Sequence, residues 1–131
     1  QSRSSAASDV YKRQVFNKVV KHLLTQKERS VDDDDKCMYY GPKGRKCAIG
    51  VLIPRHEYDP YMEGLTIYDL LGYSTEFGWD FPFDNPRVNI DLLDDLREVH
   101  DVHPVYEWYK LLKSLAKKYN LKFNPPKEYQ R

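Results

Sequence analysis

Two apolar patterns with helical spacing lie back to back in the C-terminal third of the chain, and only Val102 and His103 separate them. In the first, from Ile90 to Asp101, Leu92, Leu93, Leu96 and Val99 form one stripe. Asn89 is a good N-cap for it, and the early acids Asp91, Asp94 and Asp95 suit the positive end of a helix dipole. In the second, Pro104 fits a first helical position, and Val105, Trp108, Leu112, Leu115 and Tyr119 keep a three–four rhythm. Lys117 and Lys118 stand at its favourable C-terminal end, with Asn120 as a left-handed cap. So short a connection predicts an antiparallel or steeply crossed pair. A third pattern, Val15, Phe16, Val19, Val20, Leu23 and Leu24, predicts another amphipathic helix running to about Arg29.

The remaining segments add a small β component. Cys37-Met38-Tyr39-Tyr40 has strand character, Gly41-Pro42-Lys43-Gly44 has turn residues, and Arg45-Lys46-Cys47 returns, which predicts a hairpin. The run from Cys47 to Ile53 either extends that strand or begins a short buried helix, and Pro54 ends it. Thr66 with Asp69 reads as a capping box for a short helix carrying Ile67, Leu70 and Leu71. Between Gly72 and Pro86, Phe77, Trp79, Phe81 and Phe83 alternate with Gly78, Asp80 and Pro82, which predicts an extended segment with rings on one side. The four acids Asp32 to Asp35 read as a solvated connection, and with Lys36 they form an enteropeptidase recognition string. The fold class expected is α+β, a mainly helical single domain with a small β-hairpin over residues 15–121.

Residues 122–131, with two Pro, read as a C-terminal tail, and residues 1–14 as a non-native one. Asp9-Val10-Tyr11-Lys12-Arg13-Gln14 is what a transposase mosaic-end sequencing adapter encodes when translated, as expected of a metagenomic reading frame. That tail carries net +2, which leaves −1 for the rest of a chain of net +1. Charge is also segregated: Glu76 to Asp101 holds eight acids against two Arg, and Glu107 to Arg131 seven bases against two acids. Without a concentrated basic face, duplex nucleic acid is not an expected partner. No apolar run approaches the roughly 18 residues of a membrane span. Cys37 and Cys47 are too few for a disulfide scaffold and read as free thiols in a reducing cytoplasm, with a bridge across the hairpin as the alternative.

Four pieces also carry a resemblance. They are His22-Leu23-Leu24-Thr25-Gln26, Lys46-Cys47-Ala48-Ile49-Gly50-Val51-Leu52-Ile53-Pro54, Tyr58 through Met62-Glu63-Gly64, and Leu92-Leu93-Asp94-Asp95-Leu96 through Val99-His100-Asp101 to Trp108. In these the chain resembles a group of short, mostly uncharacterised proteins of tailed phages and bacteria. The resemblance implies an accessory or anti-defence protein in the cytoplasm of a bacterial host. Such proteins often bind and sequester, and some bind nucleotide immune signals.

Candidate chemistry is concentrated on the turn. Lys43, Arg45 and Lys46 put three cations beside two Gly, a group able to hold phosphate, although no G-x-x-x-x-G-K-[ST] loop is present. With Tyr40, Trp79 and His22 as aromatic or hydrogen-bonding walls, the expected function is non-enzymatic binding of a small anionic, nucleotide-like ligand. One alternative is a protein-binding inhibitor that presents the acidic helix to a host factor. The other is a small hydrolase. For that chemistry the candidates are Cys47 with His22 or His100, and the carboxylates Asp94, Asp95, Glu98 and Asp101. His100 and His103 have a spacing that can serve a metal, but Pro104 turns His103 away, so neither a metal nor another cofactor is expected and His100 reads as a buried, hydrogen-bonded core residue. Association into a homo-oligomer is left open by the sequence.

Overall fold

The computed structural model describes residues 3–70, 72 and 86–129. Helix α1 spans Arg3–Gln26, α3 Pro86–Val102 and α4 Trp108–Lys118, and a short helix α2 covers residues 67–70. Val15, Phe16, Val19, Val20, Leu23 and Leu24 are all buried, as the periodicity of α1 requires. They meet Leu92, Leu93, Leu96 and Val99 of α3 and Trp108, Leu112 and Ala116 of α4 in one core.

Helix boundaries differ from the expected ones for local reasons. Residues 3–14, expected as a tail without regular structure, continue α1 toward the N-terminus. A helix already nucleated by the packed turns after Val15 propagates into Ser- and Ala-containing sequence at little cost. At its other end α1 stops at Gln26 instead of about Arg29, because Lys27 adopts a left-handed φ of 54°. The Lys27 amide donates to Leu23 O at 2.9 Å, closing the helix with a one-residue left-handed cap. Helix α3 begins at Pro86, so Asn89 is inside it and does not cap it. Pro104 precedes a single 3-10 turn, Val105–Glu107, that leads into α4. The expected end of α4 is present: Asn120 has φ 56°, with Leu121 N–H to Ala116 O at 2.7 Å and Asn120 N–H to Lys117 O at 3.2 Å. The Thr66–Asp69 capping box also forms, with reciprocal bonds of 3.1 and 3.2 Å.

The α+β expectation is overturned. Among the described residues there is no strand and no sheet, only the isolated bridges Val31–Cys37 and Tyr40–Lys46, so the fold is mainly helical and the hairpin is absent. Around the second bridge Gly41 N–H reaches Arg45 O at 2.8 Å and Cys47 N–H reaches Tyr39 O at 3.3 Å, and the ladder goes no further. The reason lies in Glu63. Its carboxylate accepts the Tyr39 and Tyr40 amides at 2.8 and 3.0 Å, so a side chain satisfies donors that a neighbouring strand would otherwise use. After Cys47 the chain turns into a 3-10 segment, Gly50–Leu52, pressed so closely on Tyr39 that a Cβ at Gly50 would stand 1.9 Å from the Tyr39 carbonyl oxygen. The expected aromatic segment from Gly72 to Pro86, Trp79 included, lies almost wholly outside the described residues.

The segment after Asn120 packs as a strap. Tyr129 stacks on Tyr109 and Phe123 meets the same ring edge-on, both with centroids 5.2 Å apart. Tyr129 OH donates to Leu24 O at 3.3 Å, and Lys27 pairs with Glu128, which ties the strap to α1. No helix among the described residues is long and apolar enough to cross a membrane.

Candidate anion-binding groove

Cationic and polar positions of α1 and the turn after Gly41 converge on a groove of about 660 Å³. From α1 come Lys18, Lys21, His22 and Thr25, spaced at three and four residues on the face opposite the core. From the turn come Lys43 and Arg45, and Val51 supplies an apolar patch. The turn is closed by Arg45 N–H to Pro42 O at 3.3 Å, with Lys43 and Gly44 both left-handed at φ 62° and 76°. It is held against α1 by Gln26, which accepts Lys46 N–H at 2.9 Å and donates back to Lys46 O at 2.9 Å. Among the described residues Glu28 is the one carboxylate lining the groove, and it is committed to Arg45 at 2.8 Å. Lys18, Lys21 and Lys43 therefore stand there without an ion-pair partner among the described residues.

Half of the residues expected at the site are brought together. His22, Lys43 and Arg45 line the groove. Lys46 contributes its backbone, while its ammonium lies over the Tyr40 ring at 4.7 Å. Tyr40 in turn stacks on Tyr58 at 4.1 Å and donates to Ile53 O at 2.5 Å, so neither it nor the Lys46 side chain faces the groove. Trp79 falls outside the described residues. Lys18 and Lys21 were not singled out in the sequence, although their spacing from His22 and Thr25 on the polar face of α1 was a readable signal.

The half-buried His22 has a defined tautomer. Its Nε2 donates to Lys46 O at 2.8 Å, since a carbonyl can only accept, and among the described residues Nδ1 has no hydrogen-bond partner. Burial holds its pKa below the usual 6.5, partly offset by the bond to the Lys46 carbonyl, and the charge of Lys46 pushes the same way as burial.

A second cavity, of about 450 Å³, is lined in part by Cys37, Tyr39, Cys47, Asp94, Arg97 and Asp101. Its charges are spent on one another: Arg97 holds Asp94 at 3.0 Å and Asp101 at 3.3 Å. Both cysteines are free thiols. Burial and the Asp101 charge raise the Cys37 pKa to about 11, and burial raises that of Cys47 to about 12, so neither is a thiolate at neutral pH. His100 is fully buried, as expected, and both of its ring nitrogens are engaged. Nε2 accepts the Ser30 amide at 2.9 Å, so Nδ1 carries the proton and donates to Asp101 at 2.7 Å. That fixed pattern leaves His100 no nitrogen with which to activate a thiol.

Cys37, His100 and Asp101 place possible ligand atoms within 4.8 Å of one another. The donor set suits zinc in kind but not in arrangement. A metal on Nδ1 would require Nε2–H, which would then oppose the Ser30 N–H, and the Arg29 guanidinium already lies 3.6 Å from the Cys37 sulfur. The cluster is a clasp joining α3 to the segment after α1, backed by Trp108 at 5.5 Å from the His100 ring.

Neither a protein-family model, nor a curated protein, nor a solved structure matches this chain.

Proposed function

We propose that this protein binds a small phosphate-bearing ligand of nucleotide size in the groove between α1 and the turn after Gly41. The observation that carries the proposal is the convergence of Lys18, Lys21, Lys43 and Arg45 on one concavity that offers, among the described residues, a single carboxylate in return. Lysines act there as point charges for phosphate oxygens, and Val51 and His22 offer a surface for a flat ring. A volume of about 660 Å³ accommodates a mononucleotide, within the range of roughly 300–1,000 Å³ usual for small-ligand sites. The phage-type resemblance supports sequestration of a nucleotide signal in a bacterial cytoplasm as the purpose of such binding. The acidic face of α3 is a weaker candidate surface. Asp95 is held by Lys118 at 2.8 Å and Tyr119 at 2.6 Å, and Asp94 and Asp101 by Arg97, which leaves few acids for a partner.

Calorimetric titration of a panel of mononucleotides, cyclic nucleotides and inorganic phosphate tests this. At least one nucleotide is expected to bind with an affinity that weakens as salt rises. Lys18→Ala together with Lys43→Ala should weaken it by about tenfold per lysine, the equivalent of about 1.4 kcal/mol each. If no member of the panel binds, or the double variant binds as tightly as the parent, the groove is not the site.

A further inference from the structure

His22 differs from the lysines around it in that its positive charge is optional. Its Nε2–H is donated to the Lys46 carbonyl in the neutral ring and in the imidazolium alike, so a second proton can enter at Nδ1 without breaking that bond. The ring lines the groove beside Lys18, Lys21 and Lys43.

We propose that His22 contacts the bound oxyanion directly and that its Nδ1 takes up a proton from solution as the anion seats, which makes the groove a proton-linked anion trap. This rests on the groove being an anion site, as argued above. While the groove is empty, the cations near His22 disfavour a second proton on its ring, and the bond to the Lys46 carbonyl and the Glu28 carboxylate act the other way. From its own helix the charged groups are Lys18 and Lys21, and from the turn Lys43, Lys46 and the Arg45–Glu28 pair, while Gln26, Thr25 and the His100 ring of α3, whose Nε2 accepts the Ser30 amide, add no charge. Burial is the main effect that disfavours a positive charge on the ring, and the Lys46 ammonium adds to it. An oxyanion among the lysines reverses the balance, because it supplies the negative charge and the acceptor that an Nδ1–H needs. Proton uptake on binding obliges affinity to rise as pH falls, whatever the identity of the organic part of the ligand.

The probe is inorganic sulfate, a dianion throughout the range of interest, so that only the protein titrates. Its Kd is expected to tighten by roughly threefold to tenfold from about pH 7.5 to about pH 5.5. In His22→Gln, whose amide can still donate to the Lys46 carbonyl, the slope should disappear and sulfate should bind more weakly than to the parent at about pH 5.5. Proton NMR of the His22 ring gives a reading that needs no variant: its titration midpoint should move upward when sulfate is present. Sulfate binding with a pH-independent Kd, an unchanged slope in His22→Gln, or an unmoved ring midpoint overturns the proposal and leaves the groove standing. Failure of sulfate and of every nucleotide to bind at any pH removes the groove itself and this inference with it.

Discussion

Lys43 occupies the left-handed region at φ 62°, where a side chain costs about 1 kcal/mol relative to glycine. Its neighbour Gly44 shares that conformation without penalty. A strained lysine at the lip of a cationic groove is a sign that charge at this point is kept at the expense of stability. Lys43→Gly is therefore expected to raise unfolding stability by about 0.5–1 kcal/mol, less the extra freedom of glycine in the unfolded chain, and to weaken anion binding about tenfold. Urea midpoints and titrations on the same two proteins check both halves, and a loss of stability would show that Lys43 is not strained. At this scale the site was half legible. The charge on the turn pointed to Lys43 and Arg45, but adjacent residues in extended backbone face opposite ways, so Lys46 was lost to Tyr40 as soon as Arg45 was placed.

Elements whose identity depends on repeated spacing were readable, and one that depended on a distant partner was not. Helices α1, α3 and α4 announce themselves in apolar residues every three or four positions; the stripes of α1 and α3 are buried, and in α4 Trp108 and Leu112 are buried while Leu115 and Tyr119 are partly so. The segment around Tyr39 has good strand residues and good turn residues, and still forms no strand, because Glu63, 24 residues on, takes the Tyr39 amide. Tyr58 OH adds a third donor to the same carboxylate at 2.6 Å. Nothing in the local pattern marks a glutamate as a substitute for a strand. Glu63→Ala leaves the Tyr39 and Tyr40 amides without that acceptor and is expected to cost about 2–3 kcal/mol, read by chemical denaturation. Glu63→Gln, which retains one carbonyl oxygen, should cost less. A cost below about 0.5 kcal/mol in Glu63→Ala would mean that water replaces the carboxylate without loss.

At the scale of the whole molecule, the strap adds a tie between α1 and α4 to the core that the helices form. Tyr129 joins α1 through Leu24 O and α4 through Tyr109, so it bridges the two helices. Tyr129→Ala should cost about 1–2 kcal/mol through the lost ring stacking and buried area. Amide exchange should quicken in the last turn of α1 and in α4, and unchanged exchange in both would show that the strap rides on the surface. Two prolines and a charged composition made this segment read as a tail, since its contribution comes from two rings, Phe123 and Tyr129, set six residues apart without a helical or strand period.

The distance along the chain between Leu24 and Tyr129 also governs when the fold can finish. Their contact closes a loop of 105 residues, among the most non-local in the molecule. During synthesis at roughly 5–20 residues per second, α1 emerges several seconds before the rings that cover its far end. Until α3 and then the strap follow, the apolar face of α1, Phe16 and Leu23 included, is without the cover that these parts of its own chain supply.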